Sequence, residues 1–527
     1  MNPPAPRLRQ ALRGRPQAGT RSGAVPIAAW FRGFRAHAFI AGMLLPCVAL
    51  TSANASVQPP CAAGWTVTNL TQNTGTAVAT LAFEYSTLAT ERQYVWVTYT
   101  TQGAVAVRRS ADGGQTFAPA VGVGPGSGGS YAKIAVSGSY VYLTWTQGIG
   151  AGQRSIFFAV SADFGSTWST PQQVSPKGGS GYEVIDAPER SRNVYLAYAH
   201  GHDVFISVSH DRGTTFAPAV NLTQNPKGSK GQEIAMKDDG GRAVHVVYEE
   251  VTGIGGADDD GPDAPPGSAL MRTSLDDGAT WGPAVNISQD TANRAFEPLI
   301  TTQSVTPTRD IYAIWRQTGS NNLSAVYTSR SEDRGATWSP PLVISPMGKN
   351  ARAAAIASDG RVLYATWRED IGTSWQTIIR RSNDGGRTWG RYIRSGPTGV
   401  ESIGTGENNN SAVFSETGTQ DAYVGWNQTA GSSGLMSAFV SGSADGGRTW
   451  STPVDLGGGA GSSNHVLGTT GTLASGTVVP MIDWQGKTGS AQDVFFATCA
   501  PGSPARTGRP PEKPRVRASP AAAAVTQ

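Results

Sequence analysis

An eight-residue pattern, S-x-D-x-G-x-T-W/F, occurs seven times in this chain of 527 residues. The intervals between copies are roughly 50 to 65 residues, and short segments rich in β-branched and aromatic residues fill them. A repeat of this period with short strands between its copies predicts a β-propeller. The copies begin at Ser110, Ser161, Ser209, Ser274, Ser331, Ser382 and Ser443.

Each residue type in the pattern suits a turn between two strands. Ser and Asp side chains hydrogen-bond the backbone of tight turns, and Gly adopts a positive φ without steric cost. Thr and the aromatic residue favour the start of the next strand. We therefore interpret the seven aspartates as structural groups and not as catalytic acids: Asp112, Asp163, Asp211, Asp276, Asp333, Asp384 and Asp445.

The pattern resembles the Asp-box, or BNR repeat, of sialidases and many other secreted propellers, and its copies cover most of the chain. The resemblance implies an all-β propeller whose boxes lie on outer turns and whose ligand site lies at the mouth of the central channel. It also implies glycan chemistry, as a sialidase-like glycosidase or a polysaccharide lyase. The alternative is a non-catalytic propeller that binds a glycan or a protein at the cell surface.

The number of blades follows from the number of second strands. Eight second strands are recognisable, one more than the number of boxes. The last unit, from about His465, has a third strand at residues 493–498 but no box or fourth strand after it. Residues 65–73 match the fourth strand of another blade, at residues 216–225. We predict a single ring of eight four-stranded blades that the N-terminal strand closes; seven or six blades are the alternatives.

Two cysteines flank the predicted closure. Cys61 precedes the closing strand and Cys499 follows the third strand of the last blade. These ends are neighbours in an antiparallel pair, and exported proteins favour disulfides. We predict a Cys61–Cys499 disulfide, with two free thiols as the alternative.

The two ends of the chain differ from its middle. Residues 1–55 carry seven arginines, then an apolar run, then Ala53-Asn54-Ala55, which together predict a secretory signal. The apolar run is shorter than the roughly 20 residues that span a bilayer. We assign the propeller to residues 56–500 and a disordered Pro/Ala/Arg-rich tail to residues 501–527. The mature protein is expected to be secreted, periplasmic or at the cell surface, without a transmembrane anchor.

The charge distribution bears on the partner. The net charge of +4 depends on arginines near both termini, so the body of the chain is mildly acidic. This argues against nucleic acid, which requires a basic surface. We expect a glycan or cell-surface ligand and a monomeric protein.

Ionisable residues recur at two repeat positions, the start of the innermost strand and the residue after the aromatic that ends the second strand. A cluster of guanidiniums can bind a carboxylate, and carboxylates can move protons. We predict that Glu249 and Glu297 are catalytic and that five further residues bind substrate: Arg316, Arg352, Arg368, Glu183 and Glu233. The alternative is an ion-pair network between blades.

Two other clusters are candidate metal ligands. His200, His202 and Asp203 follow the second strand of the third blade, and an acidic insertion in the fourth blade has ligands suited to Ca²⁺. Solvated loops are the alternative for both. No cofactor is expected to be required, and a Ca²⁺ ion stays an open alternative. The insertion contains Asp258, Asp259, Asp260 and Asp263.

Overall fold

The computed structural model describes residues 61–500 with internal gaps. The predicted signal (1–55) and the predicted tail (501–527) lie outside the described residues. The internal gaps are 62–63, 73–78, 81–86, 225–228, 253–265, 304–308, 320–322, 371, 373–374, 395–410, 416, 430–435, 458–463 and 489.

The described residues form strands and no helix, arranged as eight antiparallel sheets. β1 (Trp65–Asn69) belongs to blade 8, the last blade. Blade 1 contains β2 (Ala79–Thr80), β3 (Leu88–Glu91), β4 (Tyr94–Thr101), β5 (Ala104–Ser110) and β6 (Val121–Gly122). Blade 2 contains β7 (Gly129–Ser137), β8 (Tyr140–Gly150), β9 (Gln153–Ser161) and β10 (Gln172–Gln173). Blade 3 contains β11 (Ser180–Asp186), β12 (Val194–His200), β13 (Asp203–Ser209) and β14 (Val220–Asn221).

The remaining blades repeat this order. Blade 4 contains β15 (Ser229–Asp238), β16 (Val244–Thr252), β17 (Gly267–Ser274) and β18 (Val285–Asn286). Blade 5 contains β19 (Ala295–Gln303), β20 (Asp310–Thr318), β21 (Ser324–Ser331) and β22 (Leu342–Val343). Blade 6 contains β23 (Ala351–Ser358), β24 (Leu363–Asp370), β25 (Trp375–Ser382) and β26 (Ile393–Arg394). Blade 7 contains β27 (Ser411–Ser415), β28 (Ala422–Thr429), β29 (Met436–Ser443) and β30 (Val454–Asp455). Blade 8 contains β31 (Asn464–Thr472), β32 (Val478–Thr488) and β33 (Ala491–Cys499), with β1 outermost.

The inner strands follow one another around a closed ring. Each contacts the inner strand of the next blade, and β31 of blade 8 contacts β3 of blade 1. The prediction of an eight-blade all-β propeller is confirmed. Blade 1 differs in one respect, because its inner edge consists of two short segments, β2 and β3, that both pair with β4.

The aromatic residue that was expected to end each second strand lies two to five residues before its end, because the strand continues past it. This aromatic packs against the preceding blade. Trp145, for example, is fully buried in a cluster with Val105 and Val107 of blade 1. Strand side chains alternate between the two faces of a sheet, so the residue after the aromatic points towards the following blade. The aromatics are all buried: Tyr99, Trp145, Tyr198, Tyr248, Trp315, Trp367, Trp426 and Trp484.

Closure of the ring occurs as the sequence predicts. β1 pairs antiparallel with β33, with Trp65 opposite Cys499. A disulfide joins Cys61 to Cys499, whose Cα atoms are 5.0 Å apart. The closing strand ends at Asn69, earlier than the predicted residue 73, because the Asn69 Oδ1 accepts hydrogen bonds from the N–H groups of Thr71 and Gln72 and turns the chain.

The boxes form the turns between third and fourth strands. In blade 5, Asp333 Oδ1 accepts hydrogen bonds from the Ser331 hydroxyl and the Thr337 N–H, and its Oδ2 accepts from the Thr337 hydroxyl. Gly335 has a φ of 86°, and a Cβ at this position would collide with Met271 of blade 4. The aspartate therefore holds the turn while the glycine allows the neighbouring blade to approach.

Candidate functional site

The inner strands carry β-bulges opposite the aromatic residues of the second strands. In blade 5 the register passes from Phe296↔Arg316 to Leu299↔Ile314, so two residues of β19 face one residue of β20. Five other blades have the same shift. The first residue of each bulge has a φ between 49° and 55° although none is glycine. These six residues, here called the rim positions, are Tyr131, Tyr182, Glu233, Glu297, Ala353 and His465.

An ion pair between blades 4 and 5 supports this edge. Glu249 is fully buried, and its Oε1 accepts a hydrogen bond of 2.5 Å from Nε of Arg294, which is also buried. Burial raises the pKa of the Glu249 carboxyl, and the Arg294 guanidinium opposes that rise. The guanidinium carbon of Arg294 lies 4.4 Å from the centre of the Phe296 ring. Glu249 therefore holds an arginine against an aromatic ring, out of contact with solvent.

Arg316, also of blade 5, packs against the same Phe296 ring. Its guanidinium carbon is 4.3 Å from the centre of the Phe296 ring, and its side chain is 3% exposed. Its Nη2 lies 3.4 Å from the Oε1 of Glu297, whose side chain is 37% exposed. Glu233 of blade 4 accepts a 2.7 Å hydrogen bond from the Glu297 N–H. Of the two predicted catalytic glutamates, Glu297 is accessible at the rim and Glu249 is buried.

Blade 6 brings the other two predicted arginines together. Arg352 and Arg368 are cross-strand neighbours on β23 and β24. Their guanidinium carbons lie 5.7 and 5.6 Å from the ring centre of Trp375, at the start of β25. Trp375 and Arg352 are partly exposed, whereas Arg368 is buried. Planar guanidiniums bind carboxylates bidentately, and a partly exposed indole offers a flat apolar face beside them.

Glu183 lies between blades 2 and 3 and is 1% exposed. Its Oε2 accepts a 2.8 Å hydrogen bond from the Thr146 hydroxyl. Burial raises the pKa of Glu183, and the buried Lys133 opposes that rise. Glu183 is the second residue of its bulge, whereas Glu233 and Glu297 are the first, so the structure separates it from these two glutamates although the sequence aligned them.

The residues that follow the second-strand aromatics are all buried, with at most 9% exposure. Because blades pack on both faces of each sheet, a side chain that points away from the aromatic also enters a contact between blades. These positions are therefore part of the contacts between blades: Thr100, Thr146, Ala199, Glu249, Arg316, Arg368, Asn427 and Gln485.

The candidate metal ligands have other contacts where they are described. His200 Nδ1 lies 2.9 Å from the Ser180 hydroxyl. The Asp203 carboxylate accepts hydrogen bonds from the side chains of Asn221, in the fourth strand, and Thr223, just after it. Within the described part of the chain, no three His, Cys, Asp or Glu residues are grouped to hold a metal ion. The same residues include no helix long and apolar enough to cross a bilayer. Four acidic residues of the insertion lie outside the described residues: Asp258, Asp259, Asp260 and Asp263.

Sequence reasoning missed three side chains that the structure adds to these clusters. Arg294 and Phe296 were not aligned, because they precede the rim position of β19 by three residues and one residue. Trp375 starts a third strand, a position that the repeat alignment left out. A signal was available for it, since the other described third strands begin with non-aromatic residues.

Comparison with known proteins agrees with the repeat assignment. Residues 260–393 match the family model of a BNR repeat-like domain. No curated protein is matched by the sequence. An ulvan lyase of a new polysaccharide lyase family is 12% identical, with 80% of this chain and 92% of that chain covered and a TM-score of 0.46.

Two intramolecular trans-sialidases are similarly distant. The leech enzyme is 11% identical over 83% of this chain and 93% of its own, with a TM-score of 0.40. The Ruminococcus gnavus enzyme is 12% identical over 71% of this chain and 94% of its own, with a TM-score of 0.38. At these scores the similarity carries no conclusion about chemistry.

Proposed function

We propose that this protein is an exported propeller that acts on an acidic glycan at the face bearing the rim positions. The observation that carries the proposal is the placement of two guanidiniums, from Arg352 and Arg368, beside the partly exposed ring of Trp375. Such a group matches a sugar that bears a carboxylate, because the arginines bind the anion while the indole packs on the sugar ring.

Proton transfer is assigned to Glu297 of the neighbouring blade. It is the more exposed of the two predicted catalytic glutamates, and its carboxylate lies 3.4 Å from Arg316. Glu233 fixes its backbone through the 2.7 Å hydrogen bond to its N–H. A carboxylate held at an enclosed edge can act as a general acid or base towards a glycosidic bond or a sugar ring proton. Glu249 acts here as a positioning residue, because it is buried against Arg294.

A non-catalytic glycan-binding protein is the second candidate, and the burial of Glu249 favours it. A hydrolase that uses paired carboxylates needs two groups that reach the substrate. Glu249 is fully buried and ion-paired, and Glu183 is 1% exposed. Glu233 is partly exposed, but its carboxylate accepts the hydrogen bond from the Glu297 N–H. With Glu233 held in that contact and Glu297 as the one carboxylate left to act, the arginine and tryptophan site would recognise an acidic sugar and leave it intact.

Export is part of the proposal. The arginine-rich segment and small-residue site within residues 1–55 predict a secretory signal, and the disulfide between Cys61 and Cys499 suits an oxidising compartment. Mass spectrometry of protein recovered outside the cytoplasm tests this point. A mature N-terminus near residue 56 is expected, and an intact residue 1 would contradict it.

The activity test is a released-sugar assay on sialoglycans and uronate-containing polysaccharides. Glu297→Gln keeps the size of the side chain and removes its ability to accept a proton, so turnover should fall by about a hundredfold or more. The matched control is Glu189→Gln, an exposed glutamate on a loop of blade 3. A double bond in the product would indicate elimination and a reducing sugar alone would indicate hydrolysis.

The two candidates give different results. Turnover that depends on Glu297 and not on Glu189 supports the enzyme. Binding without turnover, reduced by Arg368→Ala, supports the binding protein. Neither binding nor turnover on any acidic sugar of the panel would overturn both.

A further inference from the structure

Two adjacent rim positions are occupied by tyrosines. Tyr131 in blade 2 and Tyr182 in blade 3 each start a bulge, with φ values of 55° and 54°. Their inner strands, β7 and β11, pack against each other. Both side chains stay accessible, at 37% and 38% exposure, whereas the eight second-strand aromatics are buried.

This conformation is costly for a bulky residue. A left-handed φ brings the Cβ of an L-residue close to the following carbonyl oxygen, a contact that glycine avoids. Residues held in such regions concentrate at binding and catalytic sites. Neither tyrosine completes a core, since more than a third of each is exposed. Both rings therefore present aromatic surface at a repeat position that Glu233 and Glu297 occupy in blades 4 and 5.

The equivalent repeat positions of blades 2 and 3 carry few unpaired charges. The ammonium of Lys133 opposes the charge of the buried Glu183 carboxyl, and the residues after the second-strand aromatics of these blades, Thr146 and Ala199, are uncharged. Blades 4 to 6, in contrast, carry Glu233, Glu297 and the arginines of the proposed acidic-sugar site. The edge of the ring therefore has an aromatic, uncharged arc that adjoins a charged arc.

We propose that Tyr131 and Tyr182 form an aromatic subsite that stacks on uncharged sugar units, so that the ligand is an oligosaccharide extending from the charged arc onto blades 2 and 3. This inference rests on the proposed function and specifies its ligand: a chain in which acidic sugars are joined to neutral ones, bound internally over several units. Tyrosine suits this role because its ring is flat and apolar while its hydroxyl can reach sugar hydroxyls.

Calorimetric titration with a size series tests the inference. The probes are galacturonic acid, glucuronic acid and sialic acid, then hyaluronan, chondroitin and sialylated oligosaccharides from two to ten units. The variants are Tyr131→Gly, Tyr182→Gly and the more conservative Tyr182→Phe. Ala353→Gly is the matched control, because it changes the same bulge position in blade 6 without removing an aromatic ring.

The expected result has two parts. The affinity of the native protein rises with the length of the oligosaccharide. Each Tyr→Gly substitution lowers the affinity for the longest bound oligosaccharide by about tenfold and leaves the affinity for an acidic monosaccharide unchanged. Melting temperatures of the glycine variants stay equal or rise, because the left-handed conformation suits glycine. Tyr182→Phe and Ala353→Gly retain the length dependence.

The contrary outcomes are distinguishable. Binding of acidic monosaccharides without a gain from length, or a gain that survives both glycine substitutions, overturns the aromatic subsite and leaves the proposed function standing. A large fall in melting temperature in Tyr131→Gly and Tyr182→Gly shows that the rings support the fold, and also overturns it. No binding of any acidic probe overturns the proposed function and this inference together.

Discussion

Glu233 of blade 4 accepts a 2.7 Å hydrogen bond from the backbone N–H of Glu297 in blade 5. Both residues are the first of a bulge, with φ values of 50° and 49°. A side chain of one blade thus holds the strained backbone of the next at the point where Glu297 reaches the rim. The contact explains how a side chain on the edge of a sheet can keep a fixed position.

Glu233→Ala is expected to loosen that backbone. Removal of the acceptor exposes the Glu297 amide to exchange, so hydrogen exchange at this amide should become faster by tenfold or more, the effect of losing about 1.4 kcal/mol of protection. Glu233→Gln is the control, because its amide oxygen can accept the same hydrogen bond. Equal exchange in Glu233→Ala and the native protein would show that the contact does not restrain Glu297.

Asp333→Ala is expected to lower stability without a selective loss of function. The aspartate accepts three hydrogen bonds within its turn, from Ser331 and Thr337. Leaving such donors unpaired costs roughly 1–3 kcal/mol. Denaturant unfolding measures the loss, and Glu332→Ala in the same turn serves as a surface control. A variant of unchanged stability that fails to bind or turn over glycan would contradict the structural role.

The box aspartates also predict a response to acid. The N–H and hydroxyl of Thr167 hold the pKa of Asp163 at about 2, and the hydroxyl and N–H of Thr215 do the same for Asp211. Between pH 4 and pH 2 the unfolded chain takes up protons that the folded boxes do not, so this contribution to stability is complete above about pH 4 and is lost as the pH falls towards 2. Unfolding curves of Asp163→Asn should depend less steeply on pH in this interval than those of the native protein.

A buried carboxyl at the closure predicts the opposite slope. Asp483 of blade 8 is fully buried, its Oδ2 accepts a 3.0 Å hydrogen bond from the Thr87 hydroxyl of blade 1, and burial raises its pKa to about 7. Between pH 4 and pH 7 the folded state retains a proton that the unfolded chain releases, so stability falls as the pH rises, by up to about 1.4 kcal/mol per unit.

Asp483→Asn removes the titrating group while keeping its size. The variant should lose this slope and be more stable than the native protein at pH 8. Stability curves of the two proteins that run parallel from pH 4 to pH 8 would show that Asp483 is ionised in the fold throughout.

Loss of the disulfide is expected to weaken the closure. Cys61→Ser, Cys499→Ser and the double variant should each lose about 2–5 kcal/mol of unfolding free energy, the usual effect of removing a native disulfide. The three losses should be equal, because either substitution breaks the same bond. Single variants that match the native protein in urea unfolding would show that the β1–β33 pairing suffices for closure.

The fold was predictable from the sequence because each box carries its own turn chemistry. Asp333 and Gly335 act within a few residues of each other, so their pattern is visible in a linear sequence. Closure was predictable for a related reason, since residues 65–69 repeat the fourth strand of other blades and Cys61 and Cys499 mark the joint.

The site was less predictable, because bulges shift the register. The sequence aligned Glu183 with Glu233, but one lies buried behind the edge and the other belongs to the rim. The aromatic partners of the predicted arginines were not foreseen either. Arg352 and Arg368 meet at Trp375, while Arg316 packs on Phe296. The bulge register and the contacts between neighbouring strands of one blade decide these positions, and a linear alignment of the repeats shows neither.

The claim that arginines recognise a carboxylate is tested most directly by changing that group on the ligand. An acidic oligosaccharide that binds the protein is compared with its carboxyl-reduced form, in which each carboxylate becomes an alcohol and the rest of the chain is unchanged. Calorimetry should show a loss of at least a hundredfold in affinity on reduction, as expected for loss of a bidentate charged contact. In the double variant Arg352→Ala, Arg368→Ala, with its fold verified, the two ligands should bind equally weakly. Equal affinity of the native protein for both forms would contradict the account.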